Sequence, residues 1–119
     1  MNRIDPAEKL IVALDGKDLD EVVSLITELK GLRWVKVGLE LFVRTGPEIV
    51  HNLKSRGLKV FLDLKFHDIP ITMRSACREA AKTGADFITV HACAGANALA
   101  EANNAAIQGA LEVGLAPPK

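Results

Sequence analysis

Six ionisable residues sit where strand-like segments end or pass through the core: Asp15, Lys36, Asp63, Lys65, Asp68 and His91. The densest group is in "FLDLKFHDIP", residues 61 to 70, where apolar strand residues alternate with Asp63, Lys65, His67 and Asp68. Ionised side chains near a core are costly unless they are paired or used, so the grouping asks for a chemical explanation. Alternating lysines and aspartates can hold an ammonium group against developing negative charge, which suits carbanion or enolate chemistry. Other chemistries lack their marks. No serine or cysteine lies in a nucleophile motif, and "HACAGANA" is not a phosphate-binding glycine fingerprint. Histidines at 51, 67 and 91, on helix, loop and strand end, do not read as a zinc site.

The elements that must position these groups follow a four-fold rhythm. Apolar, β-branched runs at Leu10–Leu14, Trp34–Val37, Lys59–Leu64 and Phe87–Val90 begin 24, 25 and 28 residues apart. Helical periodicity fills the intervals. Asp18 is placed to cap a helix running to Lys30, and a second covers Leu39–Arg56 with a break at Gly46-Pro47. A third spans Ile69–Thr83, with Pro70 in its first turn and Asp68 placed as its cap, and a fourth spans Asn97–Val113. Such alternation predicts βαβ units and a parallel sheet, and the continuously apolar strands predict a sheet covered on both faces. A doubly wound open sheet and part of a (β/α)8 barrel both satisfy the pattern, and both gather strand carboxyl ends at one site.

Composition narrows the class. The chain has 119 residues, 49% hydrophobic and 25% charged, with a formal net charge of zero. This predicts one α/β domain over residues 1–119 and gives no reason to expect nucleic acid or a membrane surface as partner. Two cysteines, Cys77 and Cys93, fit no metal or disulfide spacing and read as reduced cytoplasmic thiols, with Cys93 a small buried apolar residue. His51 reads as a helix-surface residue.

The stretch "DLKFHDIP", continued by Ile71 and Thr72, resembles the Asp-x-Lys-x-x-Asp signature of the orotidine 5'-monophosphate decarboxylase family. The likeness continues in "VALD" (12–15), "VKVGLELF" (35–42) and "ITVHACAG" (88–95), in the family's order and spacing. It implies half of a TIM barrel, a (β/α)4 segment ending before a fifth strand at "GLAPPK", and decarboxylation of orotidine 5'-monophosphate to UMP in pyrimidine biosynthesis. Lys36, Asp63, Lys65 and Asp68 would be the catalytic network, with Lys65 the proton donor to carbon 6 and Asp63 lying against the substrate carboxylate. Asp15 and Lys36 would contact the ribose. Asp68 and Thr72 would complete the site of a neighbouring subunit in a homodimer, with Ile69 among the substrate contacts. The family uses no metal or organic cofactor. Sugar-phosphate lyases and synthases of the wider superfamily share the Asp-x-Lys-x-x-Asp frame, often with magnesium, and a non-catalytic half-barrel is the third reading. The family's phosphate grip lies in the barrel's second half. The 119 residues alone are therefore expected to have feeble activity, free edges on the first and fourth strands, and a need for self-association or a complementing chain.

Overall fold

A computed structural model describes residues 3–119. The order is β1 (Ile11–Ala13), α1 (Leu19–Glu28), β2 (Trp34–Gly38), α2 (Leu39–Thr45), α3 (Glu48–Ser55), β3 (Lys59–Phe66), α4 (Pro70–Lys82), β4 (Phe87–Val90) and α5 (Ala96–Glu112). Single 3-10 turns at Pro6–Lys9 and Ala92–Ala94 had no sequence signal. All neighbouring strands pair in parallel, in the order β1-β2-β3-β4.

That sequential order decides between the two architectures. Parallel crossovers are right-handed, so strands added always on the same side carry their helices on one face. A doubly wound sheet would reverse direction and cover both. The core agrees: Val35, Val37, Val60 and Leu62 of the sheet are fully buried with Val22, Leu41, Ile49, Val50 and Leu53 of the helices. The other face carries Trp34, Lys36, Phe61, Phe87 and Thr89, all half-buried. Covering of both faces is thus corrected to covering of one, the arrangement of a barrel wall. On the open face Trp34 stacks on Phe87 at 4.7 Å, and Phe61 meets Phe87 edge-on at 5.9 Å.

Local signals explain the helix boundaries. Asp18 accepts the Glu21 N–H while the Glu21 carboxylate accepts the Asp18 N–H, both at 2.9 Å, a complete capping box. Gly46, at φ 69, separates α2 from α3, as the Gly-Pro pair predicts. The expected free edge of β4 is partly occupied. Ile88 donates its N–H to the Lys119 carbonyl, and Lys119 donates its own to the Asp86 carbonyl, both at 2.9 Å. The edge of β1 carries no strand among the described residues.

α4 and α5 form the closest helix pair, sealed by Met73, Cys77, Ala98 and Ala102. Gly109 sets their approach, because a Cβ there would fall on the backbone carbonyl oxygen of Arg78. Backbone cannot step aside as a flexible side chain can. Gly109→Ala is therefore expected to destabilise the chain by about 1–3 kcal/mol, the usual cost of overpacking. Urea denaturation beside the unsubstituted chain checks this, and an unchanged midpoint would contradict the close approach.

Candidate active site

β2 and β3 lie side by side with Gly38 opposite Asp63 and Lys36 opposite Phe61. Leu14 continues the ladder beyond β1 by donating its N–H to the Lys36 carbonyl at 3.1 Å. That bond carries Asp15 to the carboxyl end of the sheet, within reach of the Lys36 side chain. Lys36 Nζ lies 3.2 Å from Asp15 Oδ2 and 3.4 Å from Asp63 Oδ2. Lys65 Nζ lies 2.8 Å from the same Asp63 oxygen. Four residues from three strand ends thus form one continuous array, Asp15–Lys36–Asp63–Lys65. Gly38 makes room for it: a Cβ there would come 2.7 Å from Asp15 Oδ1.

The β3 end departs from plain alternation. Against β4, Leu62 pairs with Ile88 and Phe66 with Val90, so three residues of β3 (63–65) stand opposite one of β4, Thr89. A bulge that re-aims side chains is common at active sites. Its strain falls on Lys65, the only non-glycine residue at positive φ (50°) among the described residues. Thr89 closes the gap that the bulge opens. Its hydroxyl oxygen accepts the Lys65 N–H at 2.9 Å and donates to Asp63 Oδ1 at 2.8 Å. Thr89 was not singled out from the sequence, since threonine in "FITV" is what strand propensity favours. Its only signal is being the one hydroxyl in an apolar strand.

Electrostatics follow from this geometry. Burial pushes the Asp63 carboxyl up, but hydrogen bonds from Lys65, Thr89 and Lys36 and the charge of Lys65 outweigh it, so its pKa lies below 3.8. Burial pushes Lys36 down, and the hydrogen bonds and charges of Asp15 and Asp63 overcome it, raising its pKa above 10.5. Asp63, only 7% exposed, is hydrogen-bonded on both oxygens. This is a pre-formed set of fixed charges with Lys65 as its exposed end.

The remaining site expectations divide. Asp68, Ile69 and Thr72 are exposed and make no hydrogen bond or ion pair with the array, although Lys65, Asp68 and Thr72 share the lining of a groove at the start of α4. Asp68 is not the helix cap. Ile69 holds that position, and the Asp68 carboxylate accepts the Ile69 N–H at 2.8 Å. His91 does not join the array either; it meets His67 and Cys93. Cys93 is exposed rather than buried, while Cys77 is buried. His51 is exposed on α3, as expected.

Comparison with known proteins identifies the family and the fold. The model of the orotidine 5'-phosphate decarboxylase / HUMPS family matches residues 8–116. Orotidine 5'-phosphate decarboxylase of Prochlorococcus marinus (strain SARG) is 63% identical over 113 residues, 95% of this chain and 47% of the relative. That of Parasynechococcus marenigrum (strain WH8102) is 60% identical over 113 residues, 95% of this chain and 46% of the relative. Among solved structures, orotidine 5'-phosphate decarboxylase from Lactobacillus acidophilus superposes with a TM-score of 0.84 at 37% identity, over 92% of this chain and 50% of that one. The orotidine 5'-monophosphate decarboxylase of Methanocaldococcus jannaschii, complexed with the inhibitor BMP, gives a TM-score of 0.76 at 31% identity, over 83% of this chain and 47% of that one. The chain spans about half the length of the curated relatives it matches. Strand order, one-sided helices and a matched span that includes the whole Asp/Lys array converge, and the chain belongs to the orotidine 5'-phosphate decarboxylase / HUMPS family.

Proposed function

We propose that residues 1–119 act as one (β/α)4 unit that supplies the proton-donating part of an orotidine 5'-monophosphate decarboxylase site. The observation that carries this reading is the Asp15–Lys36–Asp63–Lys65 array at the carboxyl ends of the strands. The bond from carbon 6 to the substrate carboxylate breaks, carbon dioxide leaves, and the electron pair stays on carbon 6. Lys65 Nζ donates a proton to that carbon, giving UMP. The Lys65 ammonium also stabilises the negative charge as it develops. Asp63 lies against the carboxylate that departs, so its charge opposes the ground state more than the transition state. Asp15 and Lys36 bind the ribose hydroxyls as acceptor and donor. No step draws on a cofactor.

Asp68, Ile69 and Thr72 are assigned to the site of a second subunit in a homodimer. Support comes from their place outside the array and from the exposed apolar surface beside them, Ile69 at 63% and Ile71 at 57%. A cytoplasmic setting fits two free thiols. No helix among the described residues is long and apolar enough to cross a membrane.

Because the chain spans about half of its relatives, the test supplies the other half. Residues 1–119 are fused to the carboxyl-terminal half of the Prochlorococcus marinus relative, and loss of orotidine monophosphate absorbance is followed. Turnover within about tenfold of the intact relative is expected, a barrier difference of about 1.4 kcal/mol. A fused protein that acts instead on a hexulose phosphate with magnesium, or on neither substrate while the relative is active, would overturn the assignment.

A further inference from the structure

Beside the Asp/Lys array, the ends of β3 and β4 gather a second polar cluster. His67 follows β3 directly, His91 follows β4 directly, and Cys93 lies in the 3-10 turn Ala92–Ala94. The backbone holds the two strand ends together, with the His91 N–H donated to the Phe66 carbonyl at 2.9 Å. Cys93 Sγ is 4.0 Å from His67 Nδ1 and 3.9 Å from His91 Nδ1, and the two rings lie 5.2 Å apart, tilted by 36°. One ligand atom from each residue falls within 4.8 Å of the others, and all three side chains are exposed. Neither imidazole has a carboxylate or hydroxyl partner among the described residues; the thiol is the one side-chain hydrogen-bond contact of each ring.

We propose that His67, His91 and Cys93 form a three-ligand site for zinc(II), with a fourth position open to solvent. Two imidazoles and a thiolate are a donor set for a borderline-soft cation and a poor one for magnesium or calcium, which take oxygen ligands. Tetrahedral zinc with bonds of about 2.3 Å to sulfur and about 2.05 Å to nitrogen needs sulfur–nitrogen edges of about 3.6 Å. The observed sulfur–nitrogen separations are a few tenths of an ångström longer, and the ligand atoms all lie within 4.8 Å of one another, so binding draws three exposed side chains together, the two imidazole nitrogens to about 3.3 Å. The sequence hid the site because the ligands come from two loops and His51, the third histidine, is elsewhere on α3. A bound ion ties the loop carrying Asp68 to the β4–α5 connection, through a ligand one residue from Asp68 and two from Lys65. The proposal stands on this geometry and is independent of the decarboxylase reading.

The test uses the reduced 119-residue chain. Zinc is titrated against a chromogenic chelator, and cobalt(II) serves as spectroscopic probe. One equivalent is expected to bind with a Kd of about 1 µM or tighter, without competition from excess magnesium. Cobalt should give a thiolate charge-transfer band in the near ultraviolet. Cys93→Ser should abolish the band, and Cys93→Ser, His67→Gln and His91→Gln should each weaken zinc by about 100-fold or more. His51→Gln should change neither, and circular dichroism melts confirm that each variant is folded. Less than half an equivalent bound, a Kd weaker than about 100 µM, or unchanged binding in folded Cys93→Ser would overturn the site.

Discussion

Replacing Lys65 with alanine in the fused full-length barrel is expected to lower turnover of orotidine monophosphate by about 10⁴-fold, with UMP binding changed far less. A positioned general acid contributes about 10²–10⁴-fold, and in the proposed mechanism this ammonium also faces the charge that develops at carbon 6. The loss therefore falls on kcat more than on KM, as expected for an interaction made in the transition state. Stability separates this chemical role from a structural one. Lys65 holds φ at 50° in the bulge, a conformation that costs a residue with a Cβ about 1–2 kcal/mol. Lys65→Gly relieves that cost, so it should melt above Lys65→Ala by about 1 kcal/mol while being equally inactive, offset in part by glycine's greater freedom when unfolded. Progress curves with urea melts of both variants check the pair of statements. Activity within tenfold of the unsubstituted protein in either variant would remove Lys65 from the mechanism.

The strain at Lys65 marks where the sequence stops being readable. Asp63 and Lys65 are recognisable by type and spacing, and strict alternation also puts them on one face. What alternation misses is the bulge, which depends on the register against β4, a long-range property with no local signal. Thr89 becomes important only through that register. Asp68 was misplaced for a local reason that the sequence does contain. Proline at the first helical position forces the residue before it into extended backbone, and Ile69, at φ −65° and ψ 156°, is thereby the cap. The carboxylate one residue earlier reaches only the Ile69 N–H. Cys93 was expected inside because cysteine usually is, yet a short turn beyond a strand end offers nothing to bury it. The strand rhythm fared better, since unit spacing depends on chain geometry. Which face the helices cover does not: Trp34, Phe61 and Phe87 are as apolar as the residues beneath the helices, and only the strand order shows that they line the open face.

Asp63→Asn should lower turnover by about 10³-fold and destabilise the fused protein by about 1–2 kcal/mol near pH 7. Both effects arise from one buried oxygen pair. Asp63 Oδ2 accepts from both Lys36 and Lys65, and Oδ1 accepts the Thr89 hydroxyl that bridges the bulge. With an amide in its place, two ammonium groups face each other with no intervening negative charge. The figure stays well below the 3–5 kcal/mol or so of a fully buried broken pair, because Lys65 is about half exposed and Lys36 retains Asp15. The pH dependence has a definite sign. The folded-state pKa of Asp63 lies below its ordinary 3.8, so its contribution is complete above 3.8 and is lost as pH falls through the depressed value. Lys36 behaves oppositely: its pKa is raised, and its contribution persists below 10.5 and fades only as pH rises beyond it. The stability gap between the unsubstituted protein and Asp63→Asn should therefore be constant from neutral pH down to about 4 and narrow below it. Urea denaturation of both proteins across that acid range measures the gap directly. A gap that persisted undiminished at the acid end would mean that the amide disturbs packing rather than charge, and the array would lose its central anion as the source of its order.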